Sequence, residues 1–282
     1  MSYLTTAENT TTAKPKPPVT LSTLNKRKAN GEKFSCLTCY DSTFAAAMQT
    51  AEIDTVLIGD SLGMVVQGQT STLPVTVEDM VYHTKNVARA NSHALILCDL
   101  PFMSFATLER ALASSQAVMQ AGANVVKIEG GAELADTVRV LANNGVPTCV
   151  HLGLTPQSVN VFGGYKVQGK TDEAAQQLLA DCKTVVEAGA AMLLLELVPA
   201  ELAKKVTESV NVPVIGIGAG VGTDGQVLVM HDMLGVYTRK PAKFVKDFLT
   251  SEENTTGDIV GAFRAYHQAV LNGSFPTAEH SF

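Results

Sequence analysis

The chain has no tryptophan, and aromatic residues fill only 6% of its 282 positions. Without large rings, the core has to come from Ala, Val, Leu and Ile. That usage, with 22 glycines, suits alternating strands and helices better than an all-β sandwich. Positive charge is also scarce: 21 Lys and Arg against 27 Asp and Glu leave a net charge of −6. No Lys/Arg block of the kind a nucleic-acid surface concentrates is present. The densest basic run, Lys26-Arg27-Lys28, reads as the end of a short N-terminal helix. No apolar stretch approaches the roughly 20 residues of a membrane span. The opening MSYLTTAENTTTAKPKPP lacks the apolar core of a secretory signal. Five scattered cysteines, an odd number, argue for a reducing compartment. There is no G-x-S-x-G elbow and no Walker lysine motif. At 46% hydrophobic residues the chain is too apolar for disorder, which leaves a soluble, cytoplasmic globular protein as the expectation.

What is present is periodic. Residues 1–20 are rich in Thr, Pro and Lys and read as a disordered tail, with a single domain over 21–282. Short apolar runs recur at 35–40, 55–59, 94–99, 124–129, 147–151, 191–196, 213–218 and 227–230. Most are apolar throughout, as strands are when both faces are covered. Between them lie Ala-rich amphipathic stretches, among them 42–51, 77–91, 107–120, 133–143 and 171–188. Thr76 to Asp79 forms a capping box, Thr107 and Thr171 are N-cap candidates, and Pro199 suits a first helical turn. Gly122, Gly145 and Gly189 sit where helices must end. One internal echo supports a repeating unit: VMQAGANVVKIE (118–129) and VVEAGAAMLLLE (185–196) share helix end, Gly turn, strand and terminal Glu, about two βα units apart. Eight strands with intervening helices predict an α/β fold, a (β/α)8 TIM barrel. The alternative, a doubly wound open sheet, lacks its glycine fingerprint, because Val221 stands where G-x-G-x-x-G needs the third Gly.

In such a barrel reactive groups lie at the C-terminal ends of strands. Four acids fall there: Asp60, Asp99, Glu129 and Glu196. A carboxylate ending an apolar strand is costly to desolvate unless paired, protonated or metal-bound. Any one of them could simply cap the next helix; four together point to a site. Asp60, Asp99 and Glu129 come from consecutive strands, and an oxygen-only set suits a hard cation, Mg²⁺ first. Glu196, across the mouth beside Leu194 and Leu195, is placed to act as a base. Lys127 shares a face with Glu129 by strand alternation and is either a counter-ion or a clamp on an anionic substrate. His151 ends the fifth strand as a scaffold or substrate contact, and Ser61 binds a carboxylate or caps a helix. Cys36 and Cys39 point to opposite faces and read as core thiols. The glycine-rich 216–222 segment is a phosphate cradle or a tight bend.

Longer motifs carry a resemblance. GDSLGMVVQG (59–68), STLPVTVEDMVYHT (71–84), DLPFMSF (99–105), AGANVVKIEGG (121–131), HLGLTPQSVNVFGGYKVQGK (151–170), LLLELVP (193–199), PVIGIGAG (213–220), DGQVLVMHDMLG (224–235) and EHSF (279–282) closely resemble the ketopantoate hydroxymethyltransferase family. The similarity runs from about Leu21 to Phe282. One departure is Cys39, where the family pattern has Ala before Tyr-Asp; it carries no evident consequence. The resemblance implies a (β/α)8 barrel that uses Mg²⁺ and 5,10-methylenetetrahydrofolate to hydroxymethylate 3-methyl-2-oxobutanoate, giving 2-dehydropantoate for pantothenate synthesis. It implies metal ligands at Asp60, Asp99 and Glu129, and substrate contacts at Asp60, Ser61, Asp99 and Lys127. It also implies a proton acceptor at Glu196 and a homo-oligomer, commonly a decamer. A Mg²⁺-dependent lyase or mutase acting on a 2-oxo acid would need the same core residues, and a decayed, non-catalytic barrel would have lost at least one of them.

Overall fold

The computed structural model describes residues 17–237 and 240–282. Eight parallel strands close into a barrel in sequence order: β1 (Phe34–Thr38), β2 (Thr55–Ile58), β3 (Leu95–Asp99), β4 (Val125–Glu129), β5 (Thr148–Gly153), β6 (Met192–Glu196), β7 (Val214–Ile217) and β8 (Gly225–Leu228). β8 pairs back onto β1, with Phe34 opposite Gly225. The helices are α1 (Leu21–Asn30), α2 (Ser42–Thr50), α3 (Leu62–Val65), α4 (Val77–Ala90), α5 (Leu108–Ala121), α6 (Ala135–Asn143), α7 (Val159–Phe162), α8 (Asp172–Glu187), α9 (Ala200–Ser209), α10 (Met230–Met233) and α11 (Ile259–Leu271). The expected barrel is therefore the observed one.

Local signals act as physics requires. Thr76 and Asp79 form a reciprocal capping box on α4, and the hydroxyls of Thr107 and Thr171 accept N–H bonds at the starts of α5 and α8. Both glycines of the internal echo take the left-handed conformation, Gly122 at φ 117° and Gly189 at φ 112°. They turn α5 into β4 and α8 into β6, two units apart.

Strand alternation divides the core. Phe34, Cys36, Leu57, Leu97, Val125, Cys149, Met192, Leu194 and Ile215 fill the barrel interior, while Ile58, Val126, Val150, Leu195 and Val214 pack outward against helices. Cys36 and Cys39 fall on opposite sides of this division, and all five cysteines are buried as free thiols.

Some expectations shift. β8 runs from Gly225 to Leu228 rather than over 227–230, and glycine is needed at its start because the Phe34 ring lies where a Cβ would stand, 2.6 Å from Cε2. The tail ends earlier than residue 20. Val19 is buried in the interior cluster and donates its N–H to His93 O at 2.7 Å, and Thr20 caps α1. The rest of that expected tail, residues 1–16, lies outside the described residues. The 216–222 segment is a packed bend: a Cβ at Gly220 would meet Ala200 Cβ at 2.5 Å, and one at Gly222 would meet Lys204 Cβ at 2.7 Å. Among the described residues no helix is long and apolar enough to cross a membrane.

Candidate active site

Each strand-end residue reaches the mouth by the same geometry. Asp99, Lys127, Glu129, His151 and Glu196 occupy inward positions of β3 to β6, and Asp60 and Ser61 follow β2 in the turn into α3. All seven line one cavity of about 450 Å³, within the usual range of small-molecule sites. Leu194 lines it beside Glu196, whereas Leu195 faces the helix layer. Just past Glu196, Leu197 adopts φ 46°, a left-handed bend that costs a non-glycine residue roughly 1–2 kcal/mol.

Lys127 is the electrostatic centre. Its Nζ lies 2.6 Å from Asp99 Oδ1 and 3.7 Å from Glu129 Oε1, with the lysine and both acids almost fully buried. Burial alone would lower its pKa, but the charges of Asp99, Glu129 and Asp60 together outweigh it and hold the ammonium protonated. A protonated amine is no nucleophile, so Lys127 serves as a charge partner. The acids feel the opposite pressure. Burial, then Asp99 and Glu129, push Asp60 well above the usual carboxylate range. Burial raises Glu129 to about 7 despite Lys127.

Neutral donors share the load. Asp60 N–H donates to Asp99 Oδ2 at 2.9 Å. Gln157, in the turn after β5, donates its backbone N–H to Glu129 Oε2 and its side-chain amide to Asp60 Oδ2 and Leu100 O, each at 2.9 Å. Ser61 does not cap α3; its hydroxyl pairs with the Tyr40 hydroxyl at 2.9 Å.

His151 stands between the two glutamates of the internal echo. Nδ1 is 3.2 Å from Glu129 Oε1 and Nε2 is 3.3 Å from Glu196 Oε2. These are close contacts at angles outside hydrogen-bond geometry, and both ring nitrogens and Glu129 Oε1 are otherwise unbonded. Burial and then Lys127 lower the His151 pKa. A neutral ring carries one N–H and can donate to only one of the two acids.

The donor chemistry fits a hard divalent cation: three buried, oxygen-only side chains, one with an unbonded oxygen, crowd anionic charge that a cation would relieve. Among the described residues, however, no three His, Cys, Asp or Glu side chains already converge in a metal-binding cluster. Both Asp99 oxygens are engaged, by Lys127 and by the Asp60 N–H.

Sequence reasoning did not single out Gln157, Tyr40, Tyr165, Asp232, Phe244 or Phe282. Tyr165, Asp232, Phe244 and Phe282 line the cavity, and Gln157 and Tyr40 hold residues that do. All six come from turns or segments outside the strands, where no alternation marks a side chain's direction. Several do stand inside the long motifs, and that was the available signal.

Comparison with known proteins agrees with the barrel fold and identifies the family. Solved structures with similar folds include a phosphonopyruvate hydrolase in complex with oxalate and Mg²⁺ (TM-score 0.58, 10% identity, covering 74% of this chain and 80% of that one). Another is a 2,3-dimethylmalate lyase of the PEP mutase/isocitrate lyase superfamily (TM-score 0.55, 14% identity, 74% and 80% covered). At such identities the likeness is one of fold. Sequence relatives are much nearer. The 3-methyl-2-oxobutanoate hydroxymethyltransferase of Psychrobacter arcticus is 68% identical over 263 residues, covering 93% of this chain and 99% of that protein. The Acinetobacter baumannii protein of the same name is 63% identical over 265 residues, covering 94% and 98%. With the family model matching residues 18–278, the chain belongs to the ketopantoate hydroxymethyltransferase family.

Proposed function

We propose that this pocket transfers a hydroxymethyl group from 5,10-methylenetetrahydrofolate to 3-methyl-2-oxobutanoate, giving 2-dehydropantoate and tetrahydrofolate. The observation that carries the reading is the convergence of Asp60, Asp99, Lys127, Glu129, His151 and Glu196 on one cavity, with Lys127 ion-paired to Asp99. Asp60, Asp99 and Glu129 would hold Mg²⁺, which when bound would supply Lewis-acid polarisation of the keto group and charge stabilisation for the enolate.

The chain's own groups do the rest. Ser61 and Lys127 bind and orient the anionic keto acid, and the permanent ammonium offsets charge that grows as the C3 proton leaves. Glu196 takes that proton at its carboxylate, on the far side of His151 from Glu129. His151, whose Nε2 lies 3.3 Å from Glu196 Oε2, limits the freedom of that side chain. The C3 carbanion equivalent then forms the new C–C bond to the methylene carbon, and the bond from that carbon to folate nitrogen breaks to release tetrahydrofolate. One water supplies the hydroxyl oxygen, the C3 proton and one proton of that water ending on the two folate nitrogens. Self-association as a homo-oligomer, commonly a decamer, belongs to the same reading and is measured by sedimentation.

The test follows the C3 proton by NMR in D₂O with purified protein, 3-methyl-2-oxobutanoate and Mg²⁺, before and after adding methylenetetrahydrofolate. Exchange abolished by EDTA, then 2-dehydropantoate formation, is the expected result. Exchange without the folate-dependent product would favour lyase-type chemistry, and no exchange in folded protein would refute the assigned roles.

A further inference from the structure

The acid-bearing arc of the mouth accounts for the keto acid, but the cavity is larger than a five-carbon acid and continues along an apolar wall. Ile217 of β7, Val227 of β8 and Val229 just past it, with Phe244 beyond them, form that wall, and Phe282 closes it. Among the described residues of this wall, Asp232 on α10 is the one titratable side chain facing the cavity. Its carboxyl has no hydrogen bond and no ion pair among the described residues, and burial alone raises it to about 6. A partly buried carboxylate without a partner is unfavourable unless something supplies one. Near neutral pH it remains mostly anionic. It is not among the leading causes of the shifts of Asp60 or Glu129.

The second substrate of the reaction proposed above has the matching chemistry. A reduced pterin has a planar pyrimidinone ring with two stackable faces and, on one edge, two adjacent donors, the N3–H and the 2-amino group, pointing the same way. A carboxylate accepts such a pair through both oxygens, while aromatic and branched side chains cover the ring faces. We infer that Asp232 anchors the 2-amino-4-oxopyrimidine edge of the folate co-substrate, with the Ile217–Val229–Phe244–Phe282 wall packing its ring. This rests on the hydroxymethyltransferase reading. It makes Asp232 a folate-binding residue with no part in the keto-acid half of the reaction.

The experiment uses the full chain with Mg²⁺. Steady-state kinetics of wild type and Asp232→Asn should show KM for methylenetetrahydrofolate raised roughly 10- to 100-fold, the range for losing a charged hydrogen-bond partner, with KM for the keto acid changed less than about twofold. Calorimetry of tetrahydrofolate against its 2-desamino analogue provides a readout that needs no variant. Wild type should bind the analogue at least about tenfold more weakly, and Asp232→Asn should bind both alike. Equal binding of the two ligands by wild type overturns the inference, as does a variant that loses keto-acid and folate affinity together. Absence of folate-dependent product from wild type would instead remove the reading on which it rests.

Discussion

From β2 round to β6 the barrel mouth carries Asp60, Asp99, Lys127, Glu129, His151 and Glu196; from β7 past β8 it carries Ile217, Val227, Val229 and Phe244. Both arcs are built on the same alternating strands and the turns that follow them, so backbone geometry does not distinguish them. Side-chain chemistry does. The apolar arc gains stability by burial. The charged arc gives some up: its acids are pushed toward protonation, its histidine nitrogens lack hydrogen bonds, and one lysine holds the group together. Unfavourable charge concentrated on one side of a cavity marks where charge must develop during a reaction.

The sharpest way to test this division is Glu196→Gln. It should slow C3 proton exchange and turnover by about 10²- to 10⁴-fold, as loss of a general base does, with keto-acid affinity by calorimetry little changed. Equal loss of binding and turnover would mean that the charged arc only binds.

Next is Lys127→Met, which removes the counter-ion and leaves buried acids uncompensated. Urea unfolding should show a loss of about 3–5 kcal/mol, against about 0.5–1.5 kcal/mol for Ile217→Val on the apolar side. Similar losses for both would erase the difference between the arcs.

A smaller effect is expected from pH. Glu129 is raised from 4.5 to about 7 and Asp60 is raised as well. An acid whose folded pKa lies above its unfolded value stabilises the fold when protonated, fully below the unfolded value, and loses that contribution as pH rises through the folded one. EDTA-treated protein should therefore lose melting temperature as pH climbs from about 4.5 towards and past 7, and saturating Mg²⁺ should flatten the slope. A melting temperature of the metal-free protein that is level or rising over that window would contradict the assignment.

The charged arc was legible in the sequence because apolar runs that end in Asp or Glu are rare enough to notice, and because a barrel brings strand ends together. The echo ending in Glu129 and Glu196 was visible as a repeat; that His151 stands between them follows only once β4, β5 and β6 are neighbours. The apolar arc was harder to read. Ile217 and Val227 look like any core residue, and Phe244 and Phe282 come from segments with no period. Gln157 was unreadable for a related reason: its role depends on where a short turn after β5 sets down one amide. The paired state of Lys127 was left open as counter-ion or clamp, since strand alternation gives a direction without a partner.

The five cysteines have a use of their own. Burial lifts the thiols of Cys36, Cys39, Cys98 and Cys182 to about 12 and raises Cys149 as well, so almost none is thiolate at neutral pH. Two, Cys36 and Cys149, sit inside the barrel, and the other three lie between the sheet and its helices. A thiol reagent then becomes a clock with two hands. Labelling at the outer three before the inner two would time the peeling of helices, and simultaneous labelling of all five would time the opening of the barrel itself.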